Sequence, residues 1–418
     1  MTATVGRQQA EGAPARRGLR SGLPLLGPAF VAAIAYVDPG NVAANLTAGA
    51  RYGYLLLWVL VAASAMAVLI QYRSAALGLV TGRSLPALVG ERLGRRARIV
   101  YWLQAELVAA ATDLAEVVGG AIALRLLFGV PLPVGGLIVG SVSLALLATQ
   151  NRRSQRTFEV VVIGLLAVIV IGFLAGLVLR PPDPGGLASG LLPRFEGTDS
   201  VLLAASMLGA TVMPHAIYVH SALARDRHGH TAPGPQRDLV LKATRWDVGT
   251  ALAVAGAVNI GLLLLAAAGL SGVPGTDDIE GAHAAITSGL GAAVGIAFAI
   301  GLLASGLAST SVGAYAGAVV MGDLLRRSVP LALRRAVTLV PAVLLLALGA
   351  DPTWTLVVSQ VVLSFGIPFA LVPLVRLSHD EAVMGDRRTG PAQHALLWTV
   401  VTLVAVLNVT LLVLLVIG

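Results

Sequence analysis

Cysteine is absent from the 418 residues. That removes disulfides, thiolate metal sites and iron–sulfur centres from consideration. Charge is scarce, at 12% of residues, about half the roughly 25% of soluble domains. Lysine is nearly missing, with Lys242 its single instance; heavy use of arginine in its place fits a high-GC bacterial genome. No G-x-x-x-x-G-K-[ST] occurs, so the chain holds no ATP-driven engine, and no H-E-x-x-H occurs. An intramembrane metalloenzyme built on His215 and His220 therefore lacks a supporting motif, and no catalytic role is expected.

What remains is apolar. Hydrophobic residues make up 56% of the chain and the mean hydropathy is +0.85, which describes an integral membrane protein. The pI of about 10.5 suggests nucleic acid at first glance, but the arginines fall in short loops between apolar segments. Arg16, Arg17 and Arg20 precede an apolar run over 23–37 containing Ala33-Ile34-Ala35, the outline of a secretory signal. Cleavage there would discard half a helix and leave Asp38 at a free end. A basic cytoplasmic tail over 1–22, followed by a first spanning helix, is the expectation.

Segments of spanning length fall at 24–47, 54–80, 99–127, 132–149, 158–179, 200–224, 247–270, 285–324, 336–350, 354–376 and 394–417. The 285–324 stretch is long for one helix and is expected to run past the membrane at its glycine-rich end. The short 336–350 segment is expected to share a helix with Arg334 and Arg335. Alternate loops are basic, holding Arg92, Arg95, Arg96 and Arg98; Arg152, Arg153 and Arg156; Arg225, Arg227 and Arg237; Arg326 and Arg327; and Arg387 and Arg388. An intervening loop is acidic, with Asp277, Asp278 and Glu280. The positive-inside rule then gives about eleven spans in a bacterial inner (plasma) membrane, the N-terminus cytoplasmic and the C-terminus outside.

Two spans are interrupted. Asp38-Pro39-Gly40-Asn41 lies inside the first and Met213-Pro214-His215 inside the sixth. A carboxylate at mid-membrane costs about 2.5–3.5 kcal/mol on insertion scales, and Pro and Gly break the helix that carries it. Both penalties are tolerated where broken backbone lines a polar site. Breaks in corresponding spans of two five-span halves are the pattern of an inverted repeat. The expected division is a first repeat over 23–180, an outer loop over 181–198, a second repeat over 199–376, and a cytoplasmic loop with a last helix over 377–418.

Asp38 offers an anionic oxygen, Asn41 a neutral one, and Met213 a thioether. Oxygen donors alone suit Mg²⁺ and Ca²⁺; one soft sulfur shifts preference toward Mn²⁺, Fe²⁺, Co²⁺ and Cd²⁺. Asp beside Pro-Gly can equally be a helix cap, Met can be packing, and His215 and His220 can be satisfied interior histidines. The third span adds Glu106, Asp113 and Glu116 near one helical face. Set against Arg334 and Arg335 at the start of the ninth span, they can form either a proton relay or a structural ion-pair network. Metal binding favours the ionised form of Asp38 and expels a proton, for which Glu106, His215 and Asp113 are acceptors. Asn259 in the seventh span is a candidate for a hydrogen bond near the site.

The two broken motifs resemble the Nramp family of proton-coupled divalent metal transporters. The resemblance extends over Gly209-Ala210-Thr211-Val212-Met213-Pro214-His215, His220-Ser221, Ala111-Thr112-Asp113-Leu114-Ala115-Glu116, Ser359-Gln360 and Phe365-Gly366-Ile367-Pro368-Phe369. It implies an all-α, LeuT-like fold with discontinuous helices 1 and 6, and uptake of Mn²⁺ or Fe²⁺ with protons by alternating access. It implies Asp38, Asn41 and Met213 as side-chain ligands, Ala35 and Ala210 as carbonyl donors, and Gln360 as a group that approaches the metal when the outer side closes. The proton route would draw on Glu106, Asp113, Glu116, His215, His220, Arg334 and Arg335. One departure stands: Gly306-Leu307-Ala308-Ser309-Thr310 replaces the family's usual Gly-Gln-Ser-Ser-Thr. The expected partners are the metal ion, protons and membrane lipids, with no resident cofactor and no nucleic acid; no feature specifies an oligomer. The alternative is a symporter of an amino acid or organic cation on the same fold, which Met213 beside a carboxylate disfavours.

Overall fold

The computed structural model describes residues 27–150, 155–325 and 331–417. The expected basic tail over 1–22, and Arg152, Arg153, Arg326 and Arg327, lie outside the described residues. Every regular element among them is helical.

The first span is built in pieces: α1 (Pro28–Ile34), a 3₁₀ turn (Ala35–Val37) and α2 (Pro39–Tyr52). Then come α3 (Leu57–Thr81), α4 (Leu85–Arg92), α5 (Arg95–Phe128), α6 (Leu132–Gln150), α7 (Gln155–Leu179) and α8 (Pro184–Gly190). The sixth span is split into α9 (Gly197–Thr211) and α10 (Pro214–His228). The remainder is α11 (Pro235–Gly269), α12 (Ile279–Leu290), α13 (Ala292–Leu325), α14 (Leu331–Ala347), α15 (Pro352–His379), α16 (Glu381–Met384) and α17 (Pro391–Ile417). Seven helical stretches are long and apolar enough to cross a membrane, and four shorter apolar ones occupy the first, fourth, fifth and ninth span positions. The eleven expected places are thus filled. Arg334 and Arg335 do fall in α14, as expected, though their side chains lie outside the described residues.

One boundary needs correction. The stretch over 285–324 is not a single overlong helix: Gly291, at φ +100°, ends α12, and α13 starts afresh at Ala292. Hydropathy is continuous across this point, so only the left-handed backbone reveals the break.

The broken spans are wedged among unbroken ones. Helix α11 packs on α2 and α3, α10 on α3, and α9 on α15, while α13 packs on α5 and α7. Helix α1 has no side-chain cap of its own. Its free N–H groups are met instead by Asp247 of α11, which accepts from Gly27 at 3.1 Å and Ala29 at 3.0 Å. A buried carboxylate at a helix N-terminus satisfies both hydrogen bonding and the helix dipole.

Ion pairs close the loops outside the spans. Arg92 reaches Asp380 at 2.6 Å and Arg51 reaches Asp277 at 2.8 Å. In each case the arginine hydrogen bond holds the carboxyl below its ordinary range. A depressed carboxyl pKa gives stability that is complete above the unfolded pKa and lost as pH falls through the folded one. Asp380→Asn should therefore lower the melting temperature slightly at neutral pH, and the difference from the parent should vanish as pH drops below the usual carboxylate range of about 4. Thermal melts across a pH series check this.

Candidate metal centre

Pro39 and Pro214 have no N–H to give, so the carbonyls four residues before them lose their helical donor. Those carbonyls belong to Ala35 and Ala210, the two that the family resemblance singles out. At the second break the carbonyl of Ala210 is met by Asn41, whose Nδ2 donates to it at 3.0 Å. The two breaks are thereby tied to each other.

Asp38 does cap α2, as an Asp-Pro-Gly sequence suggests: its Oδ1 accepts from the Asn41 N–H at 2.8 Å and from Asn41 Nδ2 at 2.6 Å. Capping is not its whole environment. Caps such as Asp183 and Asp351 sit at the outer ends of exposed loops, whereas Asp38 is 0% exposed. Its second oxygen, Oδ2, accepts from Gln360 Nε2 of α15 at 3.3 Å. Two amide oxygens beside this carboxylate, Asn41 Oδ1 and Gln360 Oε1, are buried without a donor. Buried acceptors left unmet cost about 1–3 kcal/mol each, and a bound cation would satisfy them. Among the described residues no group of three His, Asp or Glu side chains could hold a metal, so a cation here would rest on one carboxylate and neutral donors.

Gln360 reaches this position because α15 approaches both broken helices closely. A Cβ at Gly40 would fall 1.7 Å from Gln360 Nε2, and one at Gly209 would fall 2.0 Å from the Gln360 carbonyl oxygen. Met213 is the N-cap residue of α10 at the second break and is fully buried.

The other carbonyls released at the first break are satisfied by residues from distant helices. Asn259 Nδ2 donates to Tyr36 O at 2.6 Å and Ser305 Oγ to Val37 O at 2.5 Å; Asn45 Nδ2 in turn donates to Asn259 Oδ1 at 3.0 Å. Asn259 thus makes the expected hydrogen bond beside the site. Ser305 was not foreseen, because a serine within α13 carries no signal of a partner 268 positions away. Asn259→Ala should leave Tyr36 O unmet and lower the melting temperature by an amount equivalent to about 1–3 kcal/mol, measured on purified protein in detergent.

The residues expected to carry protons separate into distinct groups. Thr112 of α5 lies 3.3 Å from Nδ1 of His215. Glu116 is fully buried and Asp113 is 5% exposed, on the same helix, while Glu106 is only half-buried. His220 is elsewhere: its Nδ1 donates to Gln71 Oε1 at 2.8 Å, and Gln71 Nε2 donates to Tyr36 OH at 2.5 Å. His215 and His220 are five residues apart, about 140° around a helix, so they face α5 and α3 respectively rather than one another. Gln71 was missed, since a lone glutamine in α3 has no motif around it.

The chain is similar to known proteins along nearly its whole length. The chain is 60% identical over 403 residues to the "Divalent metal cation transporter MntH" of Mycobacterium tuberculosis, covering 96% of this chain and 94% of that one. It superposes with TM-score 0.85 and 30% identity on a crystal structure of the Eremococcus coleocola manganese transporter, covering 95% of this chain and 88% of the other. A nucleobase-cation-symport-1 transporter, Mhp1, at 18% identity and TM-score 0.60 over 88% of this chain and 81% of that one, shares the fold alone. The model of the natural resistance-associated macrophage protein-like family, Nramp, matches residues 29–414. With the two breaks, the LeuT-like helix order and this match, the chain belongs to the Nramp family.

Proposed function

We propose that this protein imports divalent transition metal ions, Mn²⁺ or Fe²⁺, by proton-coupled alternating access. It would do so from the plasma membrane, with its N-terminus in the cytoplasm and its C-terminus outside. The observation that carries the reading is the buried Asp38 carboxylate at the first break, beside two amide oxygens that lack donors. Asp38, Asn41 and Met213 would hold the ion by side chains, with Ala35, Ala210 and Gln360 contributing oxygens in one or another state of the cycle. The relatives support the cargo: one is named a divalent metal cation transporter and another a manganese transporter.

Protonated Asp38 and metal-bound Asp38 exclude each other, because a carboxyl that keeps its proton is a poor ligand. Metal entry therefore releases a proton, and the polar groups of α5 with His215 would receive it. Arg334 and Arg335 of α14, which packs against α5, would complete that route, and His220 with Gln71 and Tyr36 would form a second polar branch.

The test is uptake into proteoliposomes for a series of divalent ions, with and without a pH gradient. Accumulation of Mn²⁺ against its own gradient, driven by the pH gradient, is expected; purely downhill flux would point to a channel. In the same assay Met213→Ala should reduce discrimination against Ca²⁺ and Mg²⁺ more than it reduces Mn²⁺ uptake, because oxygen donors alone do not distinguish these ions from Mn²⁺ by softness. Unchanged competition would remove the thioether from the site. Glu106→Gln and Asp113→Asn should impair proton movement while leaving metal affinity near the parent's; equal loss of both would mean there is no separate relay.

A further inference from the structure

Helix α15 contains two internal prolines, Pro368 and Pro373. Each withholds an N–H from the carbonyl four residues earlier, so Ser364 O and Phe369 O are left without helical donors. Both are met from neighbouring helices. Asn408 of α17 donates from Nδ2 to Ser364 O at 2.9 Å and accepts at Oδ1 from Ser364 Oγ at 2.7 Å. Tyr101 of α5 donates to Phe369 O at 2.5 Å, and with its only hydrogen committed there it accepts from Tyr218 OH at 2.8 Å. Asn408 is 4% exposed and Ser364 is fully buried, so the exchange between them does not involve solvent.

Ser364 lies one helical turn beyond Gln360, the residue whose amide contacts Asp38. The same turn is pressed from the opposite broken helix by Gly209, where a Cβ would come within 2.0 Å of Gln360 O and 2.8 Å of Ser364 N. The Gln360–Ser364 turn is therefore held by α9 on one side and hydrogen-bonded by α17 on another. We propose that Asn408 is a positioning residue for the metal site: by satisfying the carbonyl that Pro368 frees, it fixes the turn of α15 that lays Gln360 against Asp38. The last span, which contributes no ligand, then acts on the ion through Gln360. This rests on the metal-binding reading above.

Mn²⁺ affinity and melting temperature, measured on full-length protein in detergent, test it. Asn408→Ala should weaken Mn²⁺ binding about three- to tenfold, the scale of one buried hydrogen bond lost. The loss should disappear when Gln360 is already alanine, so that the double variant binds no more weakly than Gln360→Ala alone. Pro368→Ala, which restores a backbone N–H for Ser364 O, should recover both affinity and melting temperature in the Asn408→Ala background. A loss of equal size with and without Gln360, no loss at all, or no recovery by Pro368→Ala would each overturn the proposal. If Asn408→Ala alone does not fold, Ser364→Ala should give a smaller loss with the same dependence on Gln360, and independence from Gln360 would overturn it equally. A parent protein that binds no Mn²⁺ would defeat the metal reading instead; the clasp would then stand or fall on whether Pro368→Ala restores the melting temperature of Asn408→Ala.

Discussion

Asp38→Ala is expected to abolish measurable Mn²⁺ binding in calorimetry, with a loss of at least about a hundredfold. The carboxylate is fully buried, and the groups around it are amides: Asn41 on Oδ1 and Gln360 on Oδ2. Removing one partner of a buried charged pair costs about 3–5 kcal/mol, because the remaining charge is left uncompensated in a poorly polarisable medium. At about 1.4 kcal/mol per decade this amounts to two or more orders of magnitude in affinity. Asp38→Asn is the sharper control. It keeps the size and one acceptor oxygen, turns the other into an amide donor and removes the charge, so it should lose nearly as much affinity while α2 keeps its cap, since Asn caps helices as well as Asp. Retention of near-parental affinity by either variant would move the ion away from this break.

The second large effect is Gly209→Ala, a single added methyl. The new Cβ would meet the Gln360 carbonyl oxygen at 2.0 Å and the Ser364 nitrogen at 2.8 Å. Both are backbone atoms, so no rotamer change relieves the contact, and α9 and α15 must separate. Overpacking of this kind costs about 1–3 kcal/mol and occasionally more. Here the displaced segment also carries Gln360. Uptake should fall to background, and the melting temperature should drop. Gly249→Ala on α11 is the matched control: nothing lies within 4 Å of its added Cβ, and alanine is the better helix former, so stability and uptake should be at least those of the parent. Equal behaviour of the two variants would mean that α9 and α15 are not in close register.

The candidate site was legible where a local rule is broken. Asp38-Pro39-Gly40-Asn41 and Met213-Pro214-His215 are conspicuous because charge and proline contradict the apolar runs around them, and the structure places a helix break at each. Prolines also mark, by simple counting, which carbonyls are freed: Ala35, Ala210, Ser364 and Phe369 each stand four residues before one. What counting cannot supply is the donor. Asn259, Ser305, Asn408 and Tyr101 meet freed carbonyls from 223, 268, 44 and 268 positions away; of these Asn259 was singled out as a hydrogen-bonding candidate but not its partner, and the other three look in sequence like ordinary polar residues in apolar helices. The division between His215 and His220 was readable in principle, since five residues leave two side chains about 140° apart around a helix. The break at Gly291 was not, because α12 and α13 are both apolar and only the backbone angle separates them.

The same contrast describes the fold. Helix existence followed hydropathy, and the expected spans agree with the observed helices to within a few residues at most ends. The short helices α4, α8, α12 and α16 lie in or beside the loops, where periodicity over four to twelve residues is too brief to register and caps such as Ser84, Asp183, Asp278 and Asp380 carry the information.

X-ray absorption at the Mn edge, on metal-loaded protein, tests most directly whether an acid and a thioether from two broken spans bind one ion. The parent should show a mixed shell with one sulfur among oxygens, Met213→Ala should show oxygens alone, and Asp38→Ala should retain no bound metal. An all-oxygen shell in the parent that Met213→Ala leaves unchanged would contradict the account.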